Sequence, residues 1–136
     1  MKASEAVKAF FVDRERTNVL ATSDGQGKVN LAVFGSPAFS GDDALVMMLG
    51  DNRSWENLQG NPEAALLVIR HGSAGMKIQG CRVYLKLRET ADSGPEFDGM
   101  KAELKARIGD AAEILKHWLI FDITEARPIL DFGQGI

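Results

Sequence analysis

Glycine-bearing turns cut this chain into short apolar runs, and that rhythm is what most limits the folds open to it. Val19 to Thr22 is followed by Asp24-Gly25-Gln26-Gly27 and then by Val29 to Phe34, two strand-like segments around a hairpin turn. In the second segment Val29, Leu31 and Val33 share one face, while Asn30, Ala32 and Phe34 share the other. A further turn at Ser40-Gly41-Asp42-Asp43 leads into Ala44 to Leu49, so the spacing predicts a meander of three consecutive antiparallel strands. Ala64 to Ile69 and Met76 to Arg88 follow as strands. In the latter the apolar positions move from 76 and 78 to 81, 83, 85 and 87, which predicts a β-bulge at Gly80. Trp118 to Thr124 ends the series, with Ile129 and Leu130 as an extension beyond Pro128.

Helical signals are fewer. Ser4 to Arg16 places Ala6, Val7, Phe10 and Phe11 at helical spacing. Asp51, Asn52 and Ser54 are cap candidates for a short helix closed by Gly60 and Pro62. Pro95 suits the first turn of a third helix carrying Phe97, Met100, Leu104 and Ile108, and Gly109 ends it. Strands and helices do not alternate regularly, which argues against a doubly wound α/β sheet. The expected architecture is mainly β with peripheral helices: six or so antiparallel strands in a small closed or split barrel of Greek-key type. No repeat or linker divides the chain, so residues 1–136 are expected to form one domain.

Composition narrows the chemistry. The longest apolar runs, Ala44 to Leu49 and Ala64 to Ile69, are far short of the roughly 20 residues that span a bilayer. The opening residues mix Glu5, Lys8, Asp13 and Arg14 among apolar ones, unlike a secretory signal, so a cytoplasmic location is expected. A net charge of -3 argues against nucleic acid as a partner. The single Cys81 and two histidines cannot build the usual zinc site, and no metal is expected. Gly25-Gln26-Gly27 lacks the helix and third glycine of a dinucleotide turn, and no P-loop is present. His71 and His117 have no neighbouring serine or aspartate in a triad-like arrangement, and no catalytic residue is assigned. Met47 and Met48 lie on opposite faces of one strand, so at most one of them is free for a ligand and the other is core.

The most informative segment is Leu49-Gly50-Asp51-Asn52-Arg53-Ser54-Trp55-Glu56-Asn57-Leu58. A strand passes through a glycine into a helix start, where free N–H groups and the helix dipole favour an anion. Arg53 and Ser54 add a guanidinium and a hydroxyl, a donor set suited to a phosphate monoester. The other reading is a plain capped helix with Arg53 as a solvated charge, and these ten residues leave both open.

Taken in order, these segments resemble the FMN-binding split β-barrel family, which includes pyridoxamine 5'-phosphate oxidase and the small bacterial FMN-binding proteins. The resemblance rests on NVLATSDGQGKVNLAVF (Asn18 to Phe34), ALVMMLGDNRSWENLQGNPEAALLV (Ala44 to Val68), KIQGCRVYL (Lys77 to Leu85) and DSGPEFDGM (Asp92 to Met100). It implies FMN as the cofactor, with Arg53 and Ser54 on its phosphate and Asn57 in support. It also implies a ring lying across Asn30, Leu31, Ala32 and Val33, across Met47, Met48 and Leu49, and beside Gln79, with Trp118 near the ring or a subunit interface. A homodimer with the flavin at that interface is implied too, together with an oxidoreductase or electron-transfer role fed by NAD(P)H or a redox protein. The second strand and the C-terminal residues lack the basic groups of the oxidase branch, so oxidation of pyridoxamine phosphate is not implied. The alternative is a split barrel that binds or senses another ligand, such as haem or a deazaflavin, without catalysis.

Overall fold

The computed structural model describes all 136 residues. In chain order the elements are α1 (Glu5–Val12), β1 (Arg16–Ser23), β2 (Val29–Val33), β3 (Ala38–Ser40), β4 (Ala44–Leu49), α2 (Arg53–Gly60), β5 (Glu63–Arg70), β6 (Gly80–Ala91), α3 (Pro95–Ile108) and β7 (His117–Pro128). Local chemistry sets the helix ends. The Ser4 hydroxyl accepts from Val7 N at the start of α1, Pro95 opens α3, and Gly109 closes it at a φ of 66°.

All seven strands form one antiparallel sheet in the order β2-β1-β5-β6-β7-β4-β3. The two edge strands, β2 and β3, are joined by only Phe34 to Pro37. Laid flat, six strand spacings would hold those edges about 29 Å apart. The step from Val33 to Ala38 reaches about 17 Å at most. The sheet must therefore curl until its edges come within that reach without pairing, and the result is a split barrel. Ser36 fastens the crossover: its buried hydroxyl accepts from Met48 N at 3.1 Å and donates to Met48 O at 3.3 Å.

Inside the barrel, Leu20, Leu45, Met47, Leu66, Val83, Leu85, Leu119 and Phe121 form a continuous core without solvent exposure. A second, smaller cluster lies outside it, where Leu104 of α3 packs on Ala44, Met48, Trp118 and Ile120. No helix is long and apolar enough to cross a membrane.

Three expectations are corrected. Ala44–Leu49 does not continue a meander from β2; it pairs with β3 and β7. The short strand β3 intervenes, and the crossover carries the chain to the opposite edge of the sheet. Gly80 is not a bulge: residues 75–77 form a single 3-10 turn, so the change of apolar phase marks the start of β6. The register shifts lie further on, at Tyr84/Leu85 and Leu87/Glu89. Gly80 is needed for a different reason, since a Cβ there would collide with the carbonyl oxygen of Val68 on β5. Finally, β4 has no free face, because the core covers one side and α3 the other.

Cys81 is fully buried at the start of β6, and burial pushes its thiol up to about 12. A thiol reagent such as DTNB is expected to leave the native protein unmodified near pH 8 and to modify one thiol per chain after denaturation; rapid labelling of the native protein would contradict this packing.

Candidate functional site

Helix α2 lies across one end of the barrel, against β1 and β2, and polar side chains hold it there. Asn52 is its N-cap, with Oδ1 accepting from Trp55 N at 2.9 Å. That bond, with the Glu56 N to Asn52 O bond, leaves the N–H groups of Arg53 and Ser54 without partners. Arg53 is exposed and makes no ion pair or hydrogen bond. Ser54 is 1% exposed, and its Oγ accepts from Asn30 Nδ2 at 3.3 Å, which leaves the hydroxyl proton available to a ligand. One turn on, buried Asn57 donates from Nδ2 to Thr22 Oγ1 at 3.1 Å. Thr22 is the register partner of Asn30, so Thr22, Asn30, Ser54 and Asn57 form one polar junction between β1, β2 and α2.

A second group buttresses this helix start. His117, the first residue of β7, is 8% exposed, and its ring stacks on Trp55 at 3.6 Å between centroids with 3° between planes. Its Nδ1 lies 2.7 Å from Asp92 Oδ1 and its Nε2 2.6 Å from Asp51 Oδ1. Carboxylate oxygens only accept, so each contact needs a proton on the ring nitrogen or on the carboxyl. The His117 ring thus ties the loops before α2 and α3 to β7, and it engages the Asp51 carboxyl that precedes the helix start. Glu56 is the remaining acidic residue of the first turn, and it is exposed.

These donors suit a phosphate monoester: a free guanidinium, two unpartnered N–H groups, a buried hydroxyl and the positive end of an eight-residue helix. They sit beside β2, an edge strand whose outer side has no strand partner, so part of its backbone can pair with a flat polar ligand. The outward side chains of β2 are apolar and open, with Val29 75%, Leu31 70% and Val33 68% exposed.

Of the expected cofactor residues, Asn30, Arg53, Ser54 and Asn57 come together at this junction. Ala32 shares the inward face of β2 with Asn30, and Leu31 and Val33 point outward. The others do not converge on it. Met47 and Leu49 are in the barrel core, and Met48 is fully buried under α3, so none of these side chains is open to a ring. Trp118 is likewise packed against Met48 and Leu104; the aromatic at the helix start is Trp55. Gln79 lies before β6 and bonds Arg70 Nη1 at 2.7 Å, at the end of β5 away from α2. Thr22 and the Asp51–His117–Asp92 group were missed by sequence reasoning. The one available signal was a threonine facing inward in β1, since the histidine's partners lie 25 and 66 residues away.

No protein-family model matches the sequence, and no curated protein matches it. Solved structures do. A crystal structure of an FMN-binding protein from Syntrophomonas wolfei is 24% identical, with a TM-score of 0.80 over 92% of this chain and 84% of the other. An F420 reductase is 16% identical, with a TM-score of 0.69 over 91% of this chain and 98% of the other. HutZ, a haem storage protein from Vibrio cholerae, is 18% identical, with a TM-score of 0.66 over 94% and 95%. The chain has the split β-barrel fold of the pyridoxamine 5'-phosphate oxidase-like proteins. Within that fold, the neighbours bind or act on FMN, F420 or haem.

Thr22→Val keeps the side-chain volume but strands the buried Asn57 amide. It is expected to cost about 1–3 kcal/mol, read as a lowered Tm in thermal unfolding; an unchanged Tm would show that the junction does not hold α2.

Proposed function

We propose that this protein binds FMN, with the phosphate at the N-terminus of α2 and the ring along β2. Arg53 and the Arg53 and Ser54 N–H groups hold the phosphate, the Ser54 hydroxyl donates to it, and Asn30 and Asn57 keep that hydroxyl and the helix in place. The observation that carries this reading is the buried Ser54 hydroxyl beside an unpaired arginine, at a helix start braced against an edge strand. FMN supplies the redox chemistry when bound, accepting and releasing electrons singly or in pairs. The chain's own residues bind the cofactor, orient it and exclude water from one side. A small oxidoreductase or an electron carrier fits this division of labour, with NAD(P)H or a redox protein as the electron partner.

A haem-binding reading is weaker on the side-chain evidence, because haem iron takes an axial ligand such as histidine. Both ring nitrogens of His117 face carboxylates. Those of His71 face Thr17 at 2.9 Å and Glu15 at 3.4 Å.

The FMN site needs a second copy of the chain. Val29, Leu31 and Val33 continue outward across the sheet into Val19 and Ala21 of β1 and Ala65 and Leu67 of β5, by register. These seven side chains are uncharged and unpartnered in one chain, with Glu63 of β5 and Arg82 of β6 at their margin, so an identical face is their natural complement. The homodimer that results covers the open side of the ring along β2.

Arg53→Ala tests the phosphate assignment. Losing a charge-assisted bond to the phosphate is expected to weaken FMN binding about tenfold to a hundredfold while leaving riboflavin nearly unchanged, as measured by flavin fluorescence titration. Equal losses for both flavins would remove Arg53 from the phosphate.

A further inference from the structure

The opposite end of β2 holds a feature that the flavin reading does not use. Around the Phe34–Pro37 crossover lies a cavity of about 480 Å³, within the usual range for small-molecule sites of roughly 300–1,000 Å³. Three arginines line it from three parts of the chain: Arg14 from the α1–β1 link, Arg16 from β1 and Arg107 from the last turn of α3. Asn18 and Glu103 are also in the wall. Asn30 pairs with Thr22, and Phe34 pairs with Asn18, so about 13 Å of strand separates this cavity from the α2 junction.

The charges in this cavity are not balanced internally. Arg16 is half-buried and held in a fixed pose, with Nε donating to Asn18 Oδ1 at 3.2 Å and Nη1 to the carbonyls of Phe11 and Asp13 at 2.8 and 2.7 Å. Nη2 donates to the carbonyl of Pro37 at 2.9 Å. Its guanidinium also lies over the Phe11 ring, 5.2 Å from the centroid. Every one of those acceptors is neutral, and one Nη2 N–H is left over. Burial, and next the charge of Arg107, lower the pKa of Arg16 from its ordinary value. Neither Arg14 nor Arg107 makes an ion pair, and Glu103 makes none with any of the three. Asp13, whose charge acts on Arg16 in the opposite sense, pairs with Arg70 at 3.5 Å and is not in the cavity wall. Three guanidiniums facing one carboxylate leave the cavity with an excess of two positive charges. Arginine forks match the paired oxygens of carboxylates and phosphates.

We infer that this cavity binds a small organic anion through a carboxylate or phosphate group, with Arg16 as the preset donor and Arg14 and Arg107 closing on it from the rim. Binding relieves the mutual repulsion of the arginines. The inference does not depend on a flavin at the other end of β2.

The test is calorimetric titration of the full chain with two probes, inorganic phosphate and malonate. Arg14 and Arg107 are exposed, so R14Q/R107Q is expected to keep its circular dichroism spectrum, whereas changing Arg16 would also loosen the end of α1. Saturable millimolar uptake of either probe is expected. It should persist in R53A, which removes the guanidinium at α2, and weaken at least about tenfold in R14Q/R107Q. Tighter uptake of phosphate than malonate, or the reverse, identifies which oxyanion the site favours. Absence of saturable uptake of both probes would overturn the inference, as would uptake that R14Q/R107Q leaves unchanged.

Discussion

Four residues, Phe34 to Pro37, carry the chain from one edge of a seven-stranded sheet to the other. The chain is too short to do this around a flat sheet, so the crossover obliges the sheet to close. Much else follows from that closure. It creates the enclosed core around Phe121 and Leu20, and it leaves β2 as an edge. It also places the arginine-lined cavity at the crossover itself. The two hydrogen bonds of Ser36 to the backbone of Met48 are the local fastening of this closure.

Closure alone does not make a binding site; it makes a barrel with one end to cover. Helix α2 covers it, and the covering is polar where it meets β1 and β2. The buried hydrogen bond from Asn57 to Thr22 and the partly buried one from Asn30 to Ser54 fix the helix in one pose, since any other would strand the desolvated Asn57 amide. On the other side of the helix start, the His117 ring stacks on Trp55 and engages Asp51. Together these contacts leave Arg53 and two backbone N–H groups facing outward with nothing to bind within the chain.

Much of this was legible in the sequence because it is local. The hairpin of β1 and β2, the cap at Asn52, the start of α3 at Pro95 and its stop at Gly109 each follow from residues a few positions apart. Asn30, Ser54 and Asn57 of the α2 junction, and Arg53 beside it, were named from the resemblance and one capped segment, whereas Thr22 was not. What failed depends on contacts distant in sequence. Strand β3 has three residues, too few for a periodic signal. In Ala44–Leu49 the opposite faces of Met47 and Met48 allowed at most one of them to be open, and both are covered; the unbroken apolar run was the better clue, since such runs mark strands buried on both sides. Trp118 is held by the same packing under α3. The role of His117 depends on Asp51 and Asp92, which only the folded sheet brings to it.

The central claim is that a phosphate-bearing flavin is held between α2 and β2 and that a second chain completes the site across the apolar face of β2. The most direct measurement is a fluorescence titration of FMN with the purified protein, combined with light-scattering mass on the same sample. The account predicts quenching that saturates at one FMN per chain and a mass twice the single-chain 14.8 kDa. FMN that stays fully fluorescent, or a mass that remains that of one chain when FMN is bound, would contradict it.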